Sequence, residues 1–241
     1  MIERRPHDGW VELRLDRPEK RNALSHELVD QLIAALDDLC ENGDPVVVLG
    51  ANGPTFCAGG DRSEIGTTPV AASARLLAHL RTVETFVVAR VEAPVLGAGV
   101  ALVRSCPVAL GTSAVTFTLP EAAMGNFPVP APYLASTLSP RRIVEVAVLG
   151  SPVGSDEAEA AGLLTRVVGP DDLDGAVAAW VDRLRSQPTV ASQARRVWQR
   201  DLRNAHERSA WAEDMVRKDA AAATAAAETA SDVVADGAVA L

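Results

Sequence analysis

The sequence predicts an α/β fold that ends in a helical C-terminal region. Apolar patterns typical of strands and of helices alternate up to Leu110, and from about Asp156 onward the patterns are helical. Strands that alternate with helices favour parallel pairing with right-handed crossovers. With 241 residues, 48% of them hydrophobic, the chain has enough apolar material for a substantial core.

The first three elements follow from local patterns. Residues 11–15 alternate apolar with charged side chains, which predicts a half-buried strand with Glu12 and Arg14 on its polar face. Ser25 precedes a helical stripe of leucines and can cap that helix. The stripe consists of Leu28, Leu32, Leu36 and Leu39. Residues 46–49 form a short apolar run, which suits a strand covered on both faces.

The same alternation continues along the chain. A helix containing Leu76, Leu77, Leu80 and Val83 is predicted before a strand at Val87–Val91. A short helix after Gly97 and a strand at Val108–Leu110 complete the α/β part. One later helix carries an apolar face made of Leu173, Val177, Trp180, Val181 and Leu184.

Charge and composition exclude several classes of protein. A net charge of −9 argues against a nucleic-acid partner, which requires a basic surface. The three cysteines and four histidines are scattered, so we expect reduced thiols and no metal site. No signal segment or membrane span is evident, which predicts a cytoplasmic protein without membrane attachment. The best local site for an anion is the cationic cluster of Arg17, Lys20 and Arg21.

Three segments could carry chemistry. Residues 56–61, Phe-Cys-Ala-Gly-Gly-Asp, follow a strand and let the backbone approach a ligand, although an ordinary strand-to-helix turn would look similar. Gly97, Ala98 and Gly99 open a helix, where free N–H groups and the helix dipole favour developing negative charge. Glu121 follows Pro120, a pattern that is also common at the start of a structural helix.

Taken together, these segments resemble the crotonase superfamily, the enoyl-CoA hydratase/isomerase family, in order and spacing. The resemblance rests on the following runs: RPEKRNALS at 17–25, FCAGGD at 56–61, VVARVEAPVLGAGVALVRSC at 87–106, FTLPEAAMGNFP at 117–128 and AEAAGLLTRVV at 158–168. It covers nearly the whole chain.

The resemblance implies a spiral of repeated β-β-α turns over residues 1–170 that holds an acyl-CoA site. Residues 171–241 would form a helical region for trimerisation, and trimers of this family often pair into hexamers. The partner would be an acyl-CoA thioester, with no cofactor beyond the coenzyme A of the substrate.

The resemblance also assigns site residues. The backbone N–H groups of Gly60 and Ala98 would form the oxyanion hole, and Glu121 would be the catalytic carboxylate. The coenzyme A moiety would be held by two segments near the cationic cluster. Their residues are Lys20, Arg21, Ala23, Leu24, Asp61, Arg62 and Ser63.

Two departures from the family pattern bear on the reaction. Hydratases of the family carry a second glutamate at the position of Ala101, and their loop after Glu121 is usually glycine-rich, whereas here it contains Pro128, Pro130 and Pro132. One glutamate suffices for a 1,3-proton shift, which favours isomerisation of a 3-enoyl-CoA over hydration of a 2-enoyl-CoA. The alternatives are a non-catalytic acyl-CoA-binding protein and other crotonase chemistry, such as decarboxylation or thioester hydrolysis.

Overall fold

A computed structural model describes residues 1–64 and 71–237, with side chains described up to residue 218. The strands are β1 (Ile2–His7), β2 (Trp10–Leu15), β3 (Val46–Ala51), β4 (Phe86–Val91), β5 (Val95–Leu96), β6 (Val108–Gly111), β7 (Thr116–Thr118), β8 (Val153–Gly154) and β9 (Arg166–Val167). The α-helices are α1 (His26–Glu41), α2 (Ala72–Leu80), α3 (Ala98–Ser105), α4 (Pro140–Leu149), α5 (Ser155–Ala160), α6 (Leu173–Ser186) and α7 (Pro188–Gly237). Short 3-10 helices occur at Pro18–Lys20, Arg62–Glu64, Pro120–Met124, Ala131–Leu134 and Pro170–Asp172.

The main sheet has six strands in the order β1-β2-β3-β4-β6-β9. The β1–β2 pair is antiparallel, and the other neighbours in this sheet are parallel, as the alternation of strands and helices predicts. A smaller sheet contains β5, β7 and β8. The α/β fold class with a helical C-terminal region is therefore confirmed.

The predicted helix after Ser25 is α1. The Ser25 hydroxyl oxygen accepts a hydrogen bond from the Leu28 N–H at 3.2 Å, which satisfies one of the free donors at the helix start. The leucine stripe of α1 is fully buried against one face of the main sheet, together with apolar side chains of α2 and α3. Helix α6 packs its predicted apolar face against the other face of the sheet, on β3, β4 and β6.

The prediction that β2 is half-buried is wrong, because its polar face is buried too. Glu12 is only 2% exposed and Arg14 only 7%, and their side chains form an ion pair with an Nη1–Oε1 distance of 2.6 Å. The register places Arg14 beside Gly50, where an added Cβ would lie 2.6 Å from Glu12 Oε1. Glycine at position 50 thus makes room for the two side chains. Because their charges are opposite, the pair is tolerated in the interior.

Other differences from the prediction are local. Helix α2 ends at Leu80, so Val83 lies in the connection that follows. Glu121 lies in a 3-10 helix that begins at Pro120, because the segment is only five residues long before Gly125 adopts a left-handed conformation and ends it. The stretch from Asp156 onward is not purely helical, because Arg166–Val167, which precede the C-terminal helical region, add β9 to the edge of the main sheet.

Candidate active site

One cavity of about 340 Å³ brings together the three residues that the sequence singled out for chemistry. It lies between α2, α3, the loop after Glu121 and α7. Its wall is formed by Gly60, Ala71, Ser73, Ala74, Leu77, Ala98, Ala101, Glu121, Phe127, Val129, Pro130, Tyr133, Ser209 and Glu213. Gly60, Ala98 and Glu121 are distant in sequence, so only the fold joins them.

The two glycine-containing segments run side by side. Cys57 pairs with Val95 in parallel, and the Leu96 N–H donates to the Cys57 carbonyl oxygen at 2.8 Å. The approach is so close at Gly59 that an added Cβ would lie 3.0 Å from the Ala98 nitrogen. Gly59 also has φ +92°, a conformation that glycine adopts at little cost. The segment therefore requires glycine at position 59 to bring its backbone against the start of α3.

The backbone N–H groups of Gly60 and Ala98 are the two candidate oxyanion donors. Neither forms a hydrogen bond to any described part of the chain. For Ala98 this follows from its position, because the first residue of an α-helix has no acceptor inside that helix. The same end of the helix carries the positive end of its dipole, so the two donors suit an oxygen that gains negative charge.

Glu121 projects a poorly solvated carboxyl group at the same cavity. Its Oε2 atom is buried and has no hydrogen-bond partner in the described part of the chain. Burial raises the pKa of this carboxyl group, because the charged form loses hydration. Gly97, at φ +53°, borders the carboxyl group, and an added Cβ there would lie 2.9 Å from Oε1. Glycine at position 97 thus allows the carboxyl group to approach the N-terminus of α3.

Ala101 lies one turn along α3 and also borders the cavity. It is fully buried in an apolar cluster with Leu77, Tyr133 and Ala205. Position 101 therefore presents a methyl group to the cavity.

The two segments predicted to hold coenzyme A are joined by backbone hydrogen bonds. The Leu24 N–H donates to the Gly59 carbonyl oxygen at 2.7 Å, and the Asp61 N–H donates to the Leu24 carbonyl oxygen at 3.2 Å. Ala23, next to Leu24, is half-buried. Four residues of the two segments are exposed, namely Lys20, Arg21, Arg62 and Ser63. The segments thus form one surface beside Gly60, and their coenzyme A role stays a prediction.

The side chain of Asp61 is already engaged within the protein. It forms an ion pair with Arg17 and accepts hydrogen bonds from the Ser63 hydroxyl at 2.6 Å and the Ser63 N–H at 2.9 Å. The Ser63 hydroxyl, followed by Arg17, lowers the pKa of this carboxyl group to about 2. Through the bond from the Ser63 N–H, Asp61 caps the 3-10 helix Arg62–Glu64. Because Arg17 is neutralised, the unpaired charge of the cationic cluster resides on Lys20 and Arg21.

Sequence reasoning missed the residue that shapes this turn. Asn22 is fully buried, accepts from the Arg17 N–H at 2.8 Å, and donates to the carbonyl oxygens of Asn52 and Thr55 at 2.8 Å each. Arg21 and Asn22 both have positive φ, 52° and 53°, which asparagine tolerates better than most residues. The Arg-Asn pair within residues 17–25 was a sequence signal for this turn. It was missed because the residues that Asn22 bonds, Asn52 and Thr55, are distant in the sequence.

Sequence reasoning also missed the contribution of α7. This helix brings Ser209 and Glu213 to the cavity wall. The Ser209 hydroxyl donates to the Val129 carbonyl oxygen at 3.1 Å, and the Tyr133 hydroxyl lies 3.3 Å from Nδ1 of His206. No local pattern links α7 to Tyr133, so the sequence carried no signal for this wall.

Two further properties concern the described part of the chain as a whole. Residues 1–64 and 71–218 contain no group of three or more His, Cys, Asp or Glu side chains suited to a metal ion. None of the helices within these ranges is both long and apolar enough to cross a membrane.

The sequence is similar to those of known proteins. A family model described as enoyl-CoA hydratase/isomerase matches residues 6–231. The chain is 30% identical over 171 residues to the human enoyl-CoA hydratase domain-containing protein 3, mitochondrial, which covers 67% of this chain and 56% of that protein. The chain thus spans less than two thirds of this relative's length. It is also 28% identical over 200 residues to 4-chlorobenzoyl coenzyme A dehalogenase-1 of an Arthrobacter species, covering 76% of this chain and 71% of that protein.

Solved structures give the same result over more of the chain. The fold matches a probable enoyl-CoA hydratase from Mycobacterium smegmatis with a TM-score of 0.78 and 27% identity, covering 90% of this chain and 93% of that one. It matches a probable enoyl-CoA hydratase from Mycobacterium thermoresistibile with a TM-score of 0.80 and 25% identity, covering 93% of this chain and 98% of that one.

Proposed function

Because this chain belongs to the enoyl-CoA hydratase/isomerase family of the crotonase superfamily, we propose that it binds an acyl-CoA thioester and stabilises the enolate formed from it. One observation carries the proposal. Glu121, whose buried Oε2 has no hydrogen-bond partner among the described residues, shares a cavity with Gly60 and Ala98, whose N–H groups donate to no described acceptor. A base and two oxyanion donors are the groups that enolate formation requires.

The oxyanion donors act on the thioester oxygen. When the α-carbon loses a proton, the electron pair of that C–H bond delocalises and places negative charge on this oxygen. Fixed N–H donors in a water-poor cavity stabilise the charge, and removing one such donor typically costs about 3–4 kcal/mol of barrier lowering. The first turn of α3 adds its dipole to the donor of Ala98.

The proposed reaction is a 1,3-proton shift in a 3-enoyl-CoA. The Glu121 carboxylate removes a proton from C2, and the C3–C4 double bond moves to C2–C3 as the resulting dienolate accepts the same proton at C4. The product is a 2-enoyl-CoA, and the carboxylate is regenerated. A carboxyl group whose pKa is raised by burial suits a step in which it must both take and return a proton.

The surroundings of Ala101 favour isomerisation over hydration. Hydration requires one group to activate water and a second to manage the other proton transfer. The buried apolar cluster around Ala101 offers no carboxylate at the family's second position. Pro128, Pro130 and Pro132 lack backbone N–H donors that could hold a water molecule in the loop after Glu121. A proton shuttle by Glu121 alone needs neither a second carboxylate nor a bound water molecule.

The test compares both reactions on one purified sample. We expect isomerisation of 3-hexenoyl-CoA to exceed hydration of 2-hexenoyl-CoA in kcat/KM. Glu121→Gln should lower isomerisation by roughly 10²–10⁴-fold, because the amide cannot exchange the proton, while the affinity for acyl-CoA stays similar. Glu207→Gln, on an exposed part of α7, is the matched control. Hydration that exceeds isomerisation would reject the proposed preference.

Coenzyme A binding gives a second prediction. Lys20 and Arg21 are exposed and form no ion pair within the described chain, so their charge is available for phosphate groups. The double variant Lys20→Ala/Arg21→Ala should bind free CoA and acyl-CoA more weakly, and wild-type binding should weaken as salt rises. Isothermal titration calorimetry measures both effects. Absence of CoA binding by the wild type at low salt would contradict the proposal.

A non-catalytic acyl-CoA-binding role is the second candidate. The apolar environment of Ala101 favours it, because this protein would have kept the pocket while losing one catalytic group of the family. Binding of acyl-CoA without isomerisation or hydration would support this role over the enzymatic one.

A further inference from the structure

Helix α7 presents a polar group to the cavity that the proposed reaction does not use. Ala205, Ser209 and Glu213 are spaced by four residues, so they lie on one face of α7. Ala205 is fully buried in the cluster around Ala101, and Ser209 is bonded to Val129. These contacts fix the helix against the site. Glu213 continues the same face and reaches the cavity wall.

The carboxyl group of Glu213 has no hydrogen bond or ion pair within residues 1–64 and 71–218. Arg217, one turn further along α7, acts on the carboxyl group through its charge. Burial and, to a smaller extent, the charge of Glu213 raise the pKa of the Tyr133 hydroxyl group. Much of the wall near it is apolar, including Leu77 and Phe127. Glu213 is exposed to solvent, and partial desolvation raises the pKa of its carboxyl group.

An acyl group that fills this cavity would displace the water around Glu213. A plain hydrocarbon chain would offer no donor to the side of the exposed carboxyl group that faces the cavity, and covering a polar group without bonding it is unfavourable. An acyl group with a hydroxyl donor would replace the lost water. A neutral donor suits the site better than an ammonium group, because an ammonium group loses more hydration on entering an apolar cavity.

We propose that Glu213 is a specificity-determining residue that selects acyl-CoA substrates whose acyl group carries a hydroxyl group. The inference rests on the proposed function, because it concerns the acyl end of the same cavity. A site that is built to bond a substrate hydroxyl discriminates strongly against the analogue that lacks it, since its own polar group is then left unpaired.

The experiment compares 3-hexenoyl-CoA with its 5-hydroxy and 6-hydroxy derivatives. For the wild type we expect at least one hydroxylated substrate to be favoured about 10- to 100-fold in kcat/KM. Glu213→Leu should abolish or reverse this preference by improving the plain substrate and weakening the hydroxylated one. Glu213→Gln should retain part of it, because the amide oxygen still accepts a hydrogen bond. Glu207→Leu, on another face of α7, should leave the ratio unchanged.

Dissociation constants for the same substrates separate this inference from the proposed reaction. If the protein binds but does not turn over, the ratio of the dissociation constants must show the same preference and the same loss in Glu213→Leu. Equal affinity and turnover for plain and hydroxylated substrates in the wild type would overturn the inference. An unchanged preference in a folded Glu213→Leu variant would also overturn it.

Discussion

At the scale of single residues, the carboxyl group that suits Glu121 to proton transfer also lowers the stability of the protein. Its buried Oε2 has no hydrogen-bond partner among the described residues, although buried polar atoms are almost always bonded in native proteins. Such an atom lowers stability, because its desolvation is not compensated. A proton taken from the substrate would give this oxygen the bonding partner that the described residues do not provide.

Glu121→Gln should therefore stabilise the protein at neutral pH. Burial raises the pKa of the carboxyl group in the folded state above its unfolded value. Its contribution to stability is fully present below the unfolded pKa and is lost as the pH rises through the folded pKa. The stability gain of Glu121→Gln should accordingly be smallest at acid pH and grow toward neutral pH. Urea unfolding across this range measures it, with Glu207→Gln as a control, and a difference that does not depend on pH would contradict the prediction.

The residues of β2 show that an alternating pattern does not determine whether the polar face of a strand is buried. The alternation in residues 11–15 correctly indicates that Glu12 and Arg14 share a face, but it does not tell what covers that face. In the fold, the charge network beside Arg14 is extended by Arg90 of β4, by Glu92, which follows that strand, and by Asp174 of α6. Because these partners come from two distant parts of the chain, residues 90–92 and α6, no local pattern indicated that this face is buried.

At the scale of elements, the start of α3 holds the oxyanion site. Ala98→Pro deletes one proposed donor at the first position of a helix, where proline is tolerated. We expect turnover to fall by about two to three powers of ten, while circular dichroism remains that of the wild type. Ala98→Ser keeps the N–H group and serves as the matched control. Wild-type kinetics in a folded Ala98→Pro variant would mean that this amide is not a donor to the thioester oxygen.

Long periodic elements were predictable, and short paired ones were not. The leucine stripe of α1 and the apolar run of β3 carry their signals within a few residues, so both elements lie where the sequence predicts them. By contrast, β5, β8 and β9 contain two residues each and exist only through pairing with distant strands. The order of the family's motifs predicted Gly60, Ala98 and Glu121 around one site, yet Glu213 required knowledge of the path of α7.

At the scale of the whole molecule, the part of α7 up to residue 218 has a second face with exposed apolar side chains. Val190, Val197 and Trp211 are 57%, 74% and 66% exposed, and their spacing is a multiple of seven residues. That repeat places them in one stripe along the helix, as in helices that pack against other helices. Val190 and Val197 also border an apolar groove of about 390 Å³ between α6 and α7. Exposed apolar surface of this kind is typical of protein–protein contacts.

We propose that the protein assembles as a trimer or a hexamer through this stripe of α7. Light scattering at micromolar concentration should give three or six times the 25.3 kDa mass of one chain. Val197→Glu/Trp211→Glu should shift the mass toward that of one chain, because charged side chains would have to lose water in the contact. The control is Val144→Glu/Val148→Glu, which alters an equally exposed apolar face on α4 and should leave the mass unchanged. A wild-type mass near 25.3 kDa would reject the assembly, whereas dissociation by the α4 variant alone would place the contact on α4 instead of α7.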